Sequence, residues 1–391
     1  MAIPKDLLDR LSGPNRPETV SNALQGADVQ LLAQLAHHRG VTQAPQLLHI
    51  SLDDARMLQM ESQLSFFAPD IDVITLPAWD CLPYDRVSPN ADLCAARIKA
   101  LASLFDPPSD TPRLLLTTLN AASQRIVSAD WLKASSITVR RGAELSMDAL
   151  TRFLTERGYA RATSVNEPGD FAIRGGLADF WPSGQDAPLR ADFLGDEVDS
   201  LRAFDPVSQR TTHAVDVAHL VPASELDFSA DAIRRFRKRY VELFGAVIDD
   251  DVIYEAASEG RRAPGIDHWM PLFHERMETV FDCIAEDATV TIDAAIDGAA
   301  TERFSAIQDY YGSRQSAMSA ESALSSPYKP LPPEYLYLSE KDWAESLSDS
   351  AAVTLTPFDV AGPTNLSLGA KPGRNFAPER KASGNIYDSV A

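Results

Sequence analysis

Apolar positions in the first 130 residues change period several times, and each change marks an element. Residues 22–38 repeat apolar side chains at helical spacing, with Leu31, Leu32 and Leu35 on one side. The run QLLHI at 46–50 is apolar without alternation, and a second helical pattern follows over 52–67. A strand at 71–76, an amphipathic helix at 94–105 and the buried strand RLLLTT at 113–118 continue the series, leading to a helix around 120–126. Strands that alternate with helices predict a parallel sheet covered on both faces.

The pattern then shifts to a smaller unit. Residues 136–140 are strand-like, Arg141-Gly142 turns, and Ser146 stands where it caps a helix over 147–157. Phe171, Ala172 and Ile173 run through Arg174 and Gly175-Gly176 into 177–181 and stop at Pro182-Ser183-Gly184, which reads as an interrupted strand. A second strand starts at Pro188, where Leu189, Ala191 and Phe193 alternate with Arg190, Asp192 and Leu194. Gly195-Asp196 turns, and a third strand over 198–204 closes at Asp205-Pro206, giving a three-stranded antiparallel meander. Alternation places Arg190, Asp192 and Leu194 on one outward face, with Arg174 on the neighbouring strand beside a glycine pair that favours a bulge. Arginine beside an exposed aliphatic side chain has the form of a protein-binding anchor. It also has the form of a solvated face with an incidental leucine, the commoner case, and the pattern leaves both open.

Beyond Pro222 the pattern is mainly helical. The basic run IRRFRKRYVELF within 229–244 reads as a solvated helix face rather than a DNA patch. Residues 288–293 form a buried strand and 299–312 a helix, and the tail 365–391 is rich in glycine, proline and charge. The fold class is therefore α/β: residues 1–130 and 223–364 form a large domain in two parts. A small α+β antiparallel domain over 131–222 interrupts it, and a linker follows at 365–391.

Charge narrows the function classes. A formal charge of −20 disfavours non-specific adhesion to DNA, whose phosphates attract a basic surface. The three cysteines, Cys81, Cys94 and Cys283, form no CxxC pair and have no histidine placed to complete a zinc site, so they read as free, partly buried thiols. Neither GxSxG nor HExxH occurs and the histidines are scattered, so no catalytic residue or metal ligand is assigned. Asp53-Asp54 and the 249–251 aspartates read as caps and loops. No run of about twenty apolar residues occurs and the start lacks a signal-peptide pattern, so a cytoplasmic protein is expected.

The runs FAIRGGLADFWPSG, PLRADFLGDEVDSLRAFD and SQRT together resemble the small second domain of UvrB, and more closely that of the bacterial transcription-repair coupling factors. Further motifs extend the resemblance over nearly the whole chain: WDCLPYDRVSP from Trp79, GIDHWMPLF from Gly265, and LPPEY from Leu331. The resemblance implies a helicase-like, degenerate P-loop large domain and a small domain that binds UvrA, the damage-recognition ATPase of nucleotide excision repair. It places the contact residues at Arg174, Arg190 and Leu194, the last where relatives usually carry phenylalanine. It also implies that RNA polymerase and DNA are engaged by further domains beyond the linker, including an ATP-driven translocase, and that the intact protein masks the UvrA-binding face.

The phosphate loop expected of a working motor is GxxxxGK[ST]. Its equivalent here, SNALQGADVQ over 21–30, has one glycine and no lysine; at Gly26, Ala27 and Asp28 it offers a carboxylate where phosphates would lie. After VTID at 290–293 come Ala294-Ala295, where a catalytic glutamate is needed. Few residues separate Tyr84-Asp85 from the helix that carries Arg97, too few for the aromatic hairpin with which UvrB grips damaged DNA. Trp79, Tyr84 and His268 are accordingly expected to pack in the interior. The expectation is a monomeric, cofactor-free module that recruits UvrA and links stalled RNA polymerase to repair. The alternative is an active UvrB-type ATPase that binds damaged DNA.

Overall fold

The computed structural model describes residues 3–42, 44–105, 110–247, 251–320 and 328–371. Among them, a seven-stranded parallel sheet runs in the order Asn365–Ser367, Thr19–Ser21, Val353–Leu355, Thr289–Asp293, Leu47–Ser51, Arg113–Thr118, Asp72–Leu76. Central strands of such a sheet are covered on both faces, and every residue of 47–51 and 113–118 is buried. Leu114 and Leu116 point into one core with Leu31, Leu32 and Leu35 of helix Ala27–Arg39 and Met57, Met60 and Leu64 of helix Asp54–Phe67. Leu115 points into the other, with Ile98 and Leu101 of helix Ala91–Phe105 and with Trp269 and Phe273.

Two readings are corrected here. Asn365–Ser367 was assigned to the linker, yet it pairs in parallel with Thr19–Ser21 and so extends the large domain past residue 364. Three residues are too few to show a period, so composition alone concealed the strand; residues 372–391 of that linker lie outside the described residues. The aspartate run at 249–251 reads as surface caps and loops, and of this only the surface placement fails. Residues 249 and 250 are outside the described residues, but Asp251 is buried, capping helix Val252–Ser258 while pairing with Lys329 at 2.8 Å and accepting from the Tyr240 hydroxyl at 2.8 Å.

The small domain is built on a six-stranded sheet, ordered Thr211–Ala214, Glu197–Phe204, Leu189–Leu194, Leu177–Phe180, Asp170–Arg174, Ala160–Arg161. The interrupted strand of the sequence reading is therefore a hairpin, turned by Gly175 in the left-handed region at φ +58°. Its inner face buries Phe171, Phe180, Ala191 and Leu201 against Leu150 and Leu154 of helix Met147–Glu156, which Ser146 caps by accepting from the Ala149 N–H. Among the described residues no helix is long and apolar enough to cross a membrane.

What holds the two units together is a buried segment just after the last small-domain strand, Val217–Leu220. Glu225 accepts from Arg97 Nε at 2.8 Å and Nη2 at 3.0 Å, while Arg97 Nη1 donates to the Pro77 carbonyl at 2.6 Å. Both side chains are almost completely buried, the Trp79 ring N–H also donates to Glu225, and the His274 ring bonds its backbone carbonyl. Two residues on, Asp227 accepts from Trp131, from Arg157 at 2.8 Å and from the Ser229 N–H. Removing one member of a buried, bidentate pair strands the other charge in the interior. Glu225→Ala is expected to cost about 3–5 kcal/mol in a urea-unfolding titration, whereas removing the exposed partner Lys238 of Glu242 is expected to cost under about 1 kcal/mol.

Candidate functional site

The outward face of the small sheet is organised in rows set by strand register. One row reads Ala172, Asp179, Arg190, Arg202, and the next reads Arg174, Leu177, Asp192, Ser200. A bulge in the Glu197–Phe204 strand opposite Asp192 and Phe193 leaves the alternation of Leu189–Leu194 intact, so Leu194 also faces outward. Leu194 is 75% exposed. Arg174 is exposed, with Nη2 on the Thr163 carbonyl, and Leu177 beside it is half-buried. Arg202 pairs with Asp192, which also accepts from the Ser200 hydroxyl, and keeps 39% of its side chain exposed.

Arg190 departs from the expectation of an open anchor. Its fork is taken up by its cross-strand neighbour, Nε to Asp179 Oδ1 at 2.6 Å and Nη2 to Oδ2 at 2.8 Å. Asp179 is buried and only 18% of the Arg190 side chain is exposed. The guanidinium lies 4.8 Å from the Phe204 ring centroid, and the hydrogen bonds to Asp179 raise its already high pKa against the opposing effect of burial. Of the three predicted contact residues, Arg174 and Leu194 are presented to solvent at one end of the face, and Arg190 is folded against its own chain.

In the large domain, the carboxyl ends of the parallel strands are where folds of this class place ligands. Here protein charges fill that position. Gly26, at φ +87°, turns the chain so that its N–H and that of Val29 both donate to Asp28 Oδ1, at 2.8 and 2.7 Å. Asp28 is buried and pairs through Oδ2 with Arg56, whose Nε lies 3.6 Å from Asp293. Asp293 accepts the Leu52 N–H at 3.0 Å and faces His49 at 3.6 Å. Burial raises the Asp293 pKa, but His49, the Leu52 N–H and Arg56 outweigh it and hold the carboxyl below its ordinary range. The N-terminus of helix Ala27–Arg39, which in a nucleotide-binding relative would meet phosphate, meets an internal carboxylate instead.

Residues 137–226 match the UvrB interaction domain family, which takes in the small sheet and ends one residue beyond Glu225. Over 373 residues the chain is 30% identical to the transcription-repair-coupling factor of Haemophilus influenzae, covering 94% of this chain and 31% of that protein. The chain carries a UvrB interaction domain and is similar over nearly its whole length to part of a transcription-repair-coupling factor. The coupling factor of Escherichia coli is 35% identical over 243 residues, 62% of this chain and 20% of that protein. That of Myxococcus xanthus is 32% identical over 271 residues, 64% and 22%. The chain thus spans at most about a third of the length of these curated relatives.

Other signature residues of this UvrB-like module are structural. Tyr84 is 2% exposed and lies against the rings of His268, Tyr311 and Tyr337. Burial lowers the pKa of His268, whose ring packs edge-on to Trp79 and stacks with Tyr84. In the basic helix Ala230–Phe244, Arg235 and Arg239 donate to the carbonyls of Phe273, Pro271 and His274, a role that neither the solvated-face nor the DNA-patch reading anticipated.

Sequence reasoning missed Asp179, Arg202, Glu225 and Arg56 as determinants. The available signal was cross-strand complementarity: once the hairpins are registered, Asp179 falls opposite Arg190. Asp28→Ala is expected to lower stability by about 1–3 kcal/mol, since two backbone donors and Arg56 lose their acceptor. Because the folded-state pKa of Asp293 is depressed, its contribution is present at neutral pH and fades as pH falls through that lowered value. Thermal melts taken from about pH 7 to about pH 3 should therefore lose less stability in Asp293→Asn than in the parent chain.

Proposed function

We propose that this module recruits UvrA through the outward face of the small sheet, in the cytoplasm, and so couples a stalled transcription complex to nucleotide excision repair. The observation that carries the reading is the UvrB interaction domain match over 137–226, coinciding with a rigid sheet that presents Arg174 and a 75%-exposed Leu194. A large exposed aliphatic side chain flanked by arginine on a β-scaffold is suited to a protein partner with matching apolar and acidic groups. RNA polymerase contact and DNA translocation belong to other parts of a coupling factor. The large domain acts as a scaffold without ATP binding or hydrolysis. That reading is supported by the carboxylate of Asp28 at the helix N-terminus, where an incoming phosphate would be repelled.

The test is calorimetric titration of purified UvrA with the chain. Arg174→Ala and Leu194→Asp are each expected to weaken binding by about 2 kcal/mol, roughly thirty-fold, with the melting temperature unchanged. Undiminished binding by the double variant would reject this face as the contact. Purified chain is expected to hydrolyse ATP no faster than a buffer control, and turnover above that background would reject the scaffold role.

A further inference from the structure

The two arginines that the family resemblance marks as contacts stand in opposite situations, and a third arginine takes the position that one of them vacates. Arg190 has Nε and Nη2 committed to Asp179 and its face on the Phe204 ring, while Nη1 points at the Gln209 carbonyl at 3.4 Å. Gln209 is itself fixed by donating to the carbonyls of Val165 and Pro206, and Val165, Ala172 and Phe204 make a small buried cluster beneath it. Arg190 is thus the lid of a second, outer core. A partner carboxylate seeking a bidentate grip would have to displace a buried one already in place.

Arg202 is the cross-strand neighbour of Arg190 and lies in the same row. Its guanidinium meets one carboxylate, Asp192, which is shared with the Ser200 hydroxyl, and more than a third of its side chain is open to solvent. Leu177 is cross-strand to Asp192 and to Arg174, so Arg202, Leu177, Arg174 and Leu194 bound one continuous strip: two aliphatic groups with a guanidinium toward each side.

We propose that Arg202 supplies the second cationic contact of this surface, while Arg190 is a positioning residue that holds the outer face in shape through Asp179. This rests on the proposed function above and adds the chemistry of the partner: a segment carrying an apolar side chain with a carboxylate to either side. Arg202 keeps Asp192 as its resting counter-ion and exchanges it, wholly or in part, for the partner's carboxylate on docking.

The experiment uses the full chain with purified UvrA, reading the dissociation constant and the melting temperature for each variant. Arg202→Ala is expected to weaken binding at least ten-fold at an unchanged melting temperature. Asp192→Asn, which removes the internal competitor and leaves Arg202 in place, is expected to tighten binding several-fold. Arg190→Ala and Asp179→Ala are each expected to lower both melting temperature and affinity. The paired replacement Arg190→Met with Asp179→Leu, which substitutes apolar contact for the ion pair, is expected to restore both. Restored melting with binding still lost ten-fold or more would show that Arg190 touches the partner and would overturn its positioning role. Indifference of binding to both Arg202→Ala and Asp192→Asn would overturn the role of Arg202. In either case the chain still binds UvrA and only this inference falls; a parent chain that does not bind UvrA at all removes the proposed function and this inference with it.

Discussion

The ion pair between Arg97 and Glu225 is the constraint on which the arrangement of this molecule depends. It joins a helix of the large domain to the segment that leaves the small one, and neither charge has water to fall back on. Such a pair adds little to net stability compared with well-packed apolar groups, but it is demanding in geometry: two parallel hydrogen bonds, a third to the Pro77 carbonyl and a tryptophan N–H must all be met together. The result is a defined seat for the small sheet on its scaffold. Asp227 repeats the device two residues later with Trp131 and Arg157, so the connection is fastened on both sides of Leu226, itself buried.

The large domain keeps the layered architecture of a nucleotide-binding fold while its ligand end is occupied by its own side chains. Asp28, Arg56, Asp293 and His49 come from four separate elements, and each satisfies part of another's desolvation cost. Charge of this kind at a helix N-terminus stabilises the apo fold for the reason that phosphate stabilises a bound one.

Much of the fold was legible because hydrophobic period reports burial directly. The strand at 113–118 and the helix cap at Ser146 were readable from local residues, and the alternation Leu189, Ala191, Phe193 against Arg190, Asp192, Leu194 assigned the faces of that strand. The candidate surface was legible only in part. Leu194 and Arg174 are exposed as their positions imply, but whether an outward arginine is free depends on what stands across the sheet, and register is not a local property. Asp179 reaches Arg190 only because the 177–180 and 189–194 strands pair with that offset. The burial of Glu225 and Asp251 was likewise invisible, because acidic residues in loop-like stretches read as solvated until their partners, Arg97 and Lys329, are brought in from more than 70 positions away. The edge strand at 365–367 was hidden by its shortness.

Hydrogen–deuterium exchange of the chain, free and saturated with UvrA, tests the central claim most directly, because it reads every backbone amide without altering a side chain. Slowed exchange confined to the outward ends of the hairpins, around Arg174 to Leu177 and Leu194 to Ser200, with the amides of residues 22–29 unchanged, is the expected result. Protection centred on the large-domain sheet, with those hairpins exchanging as in the free chain, would contradict it.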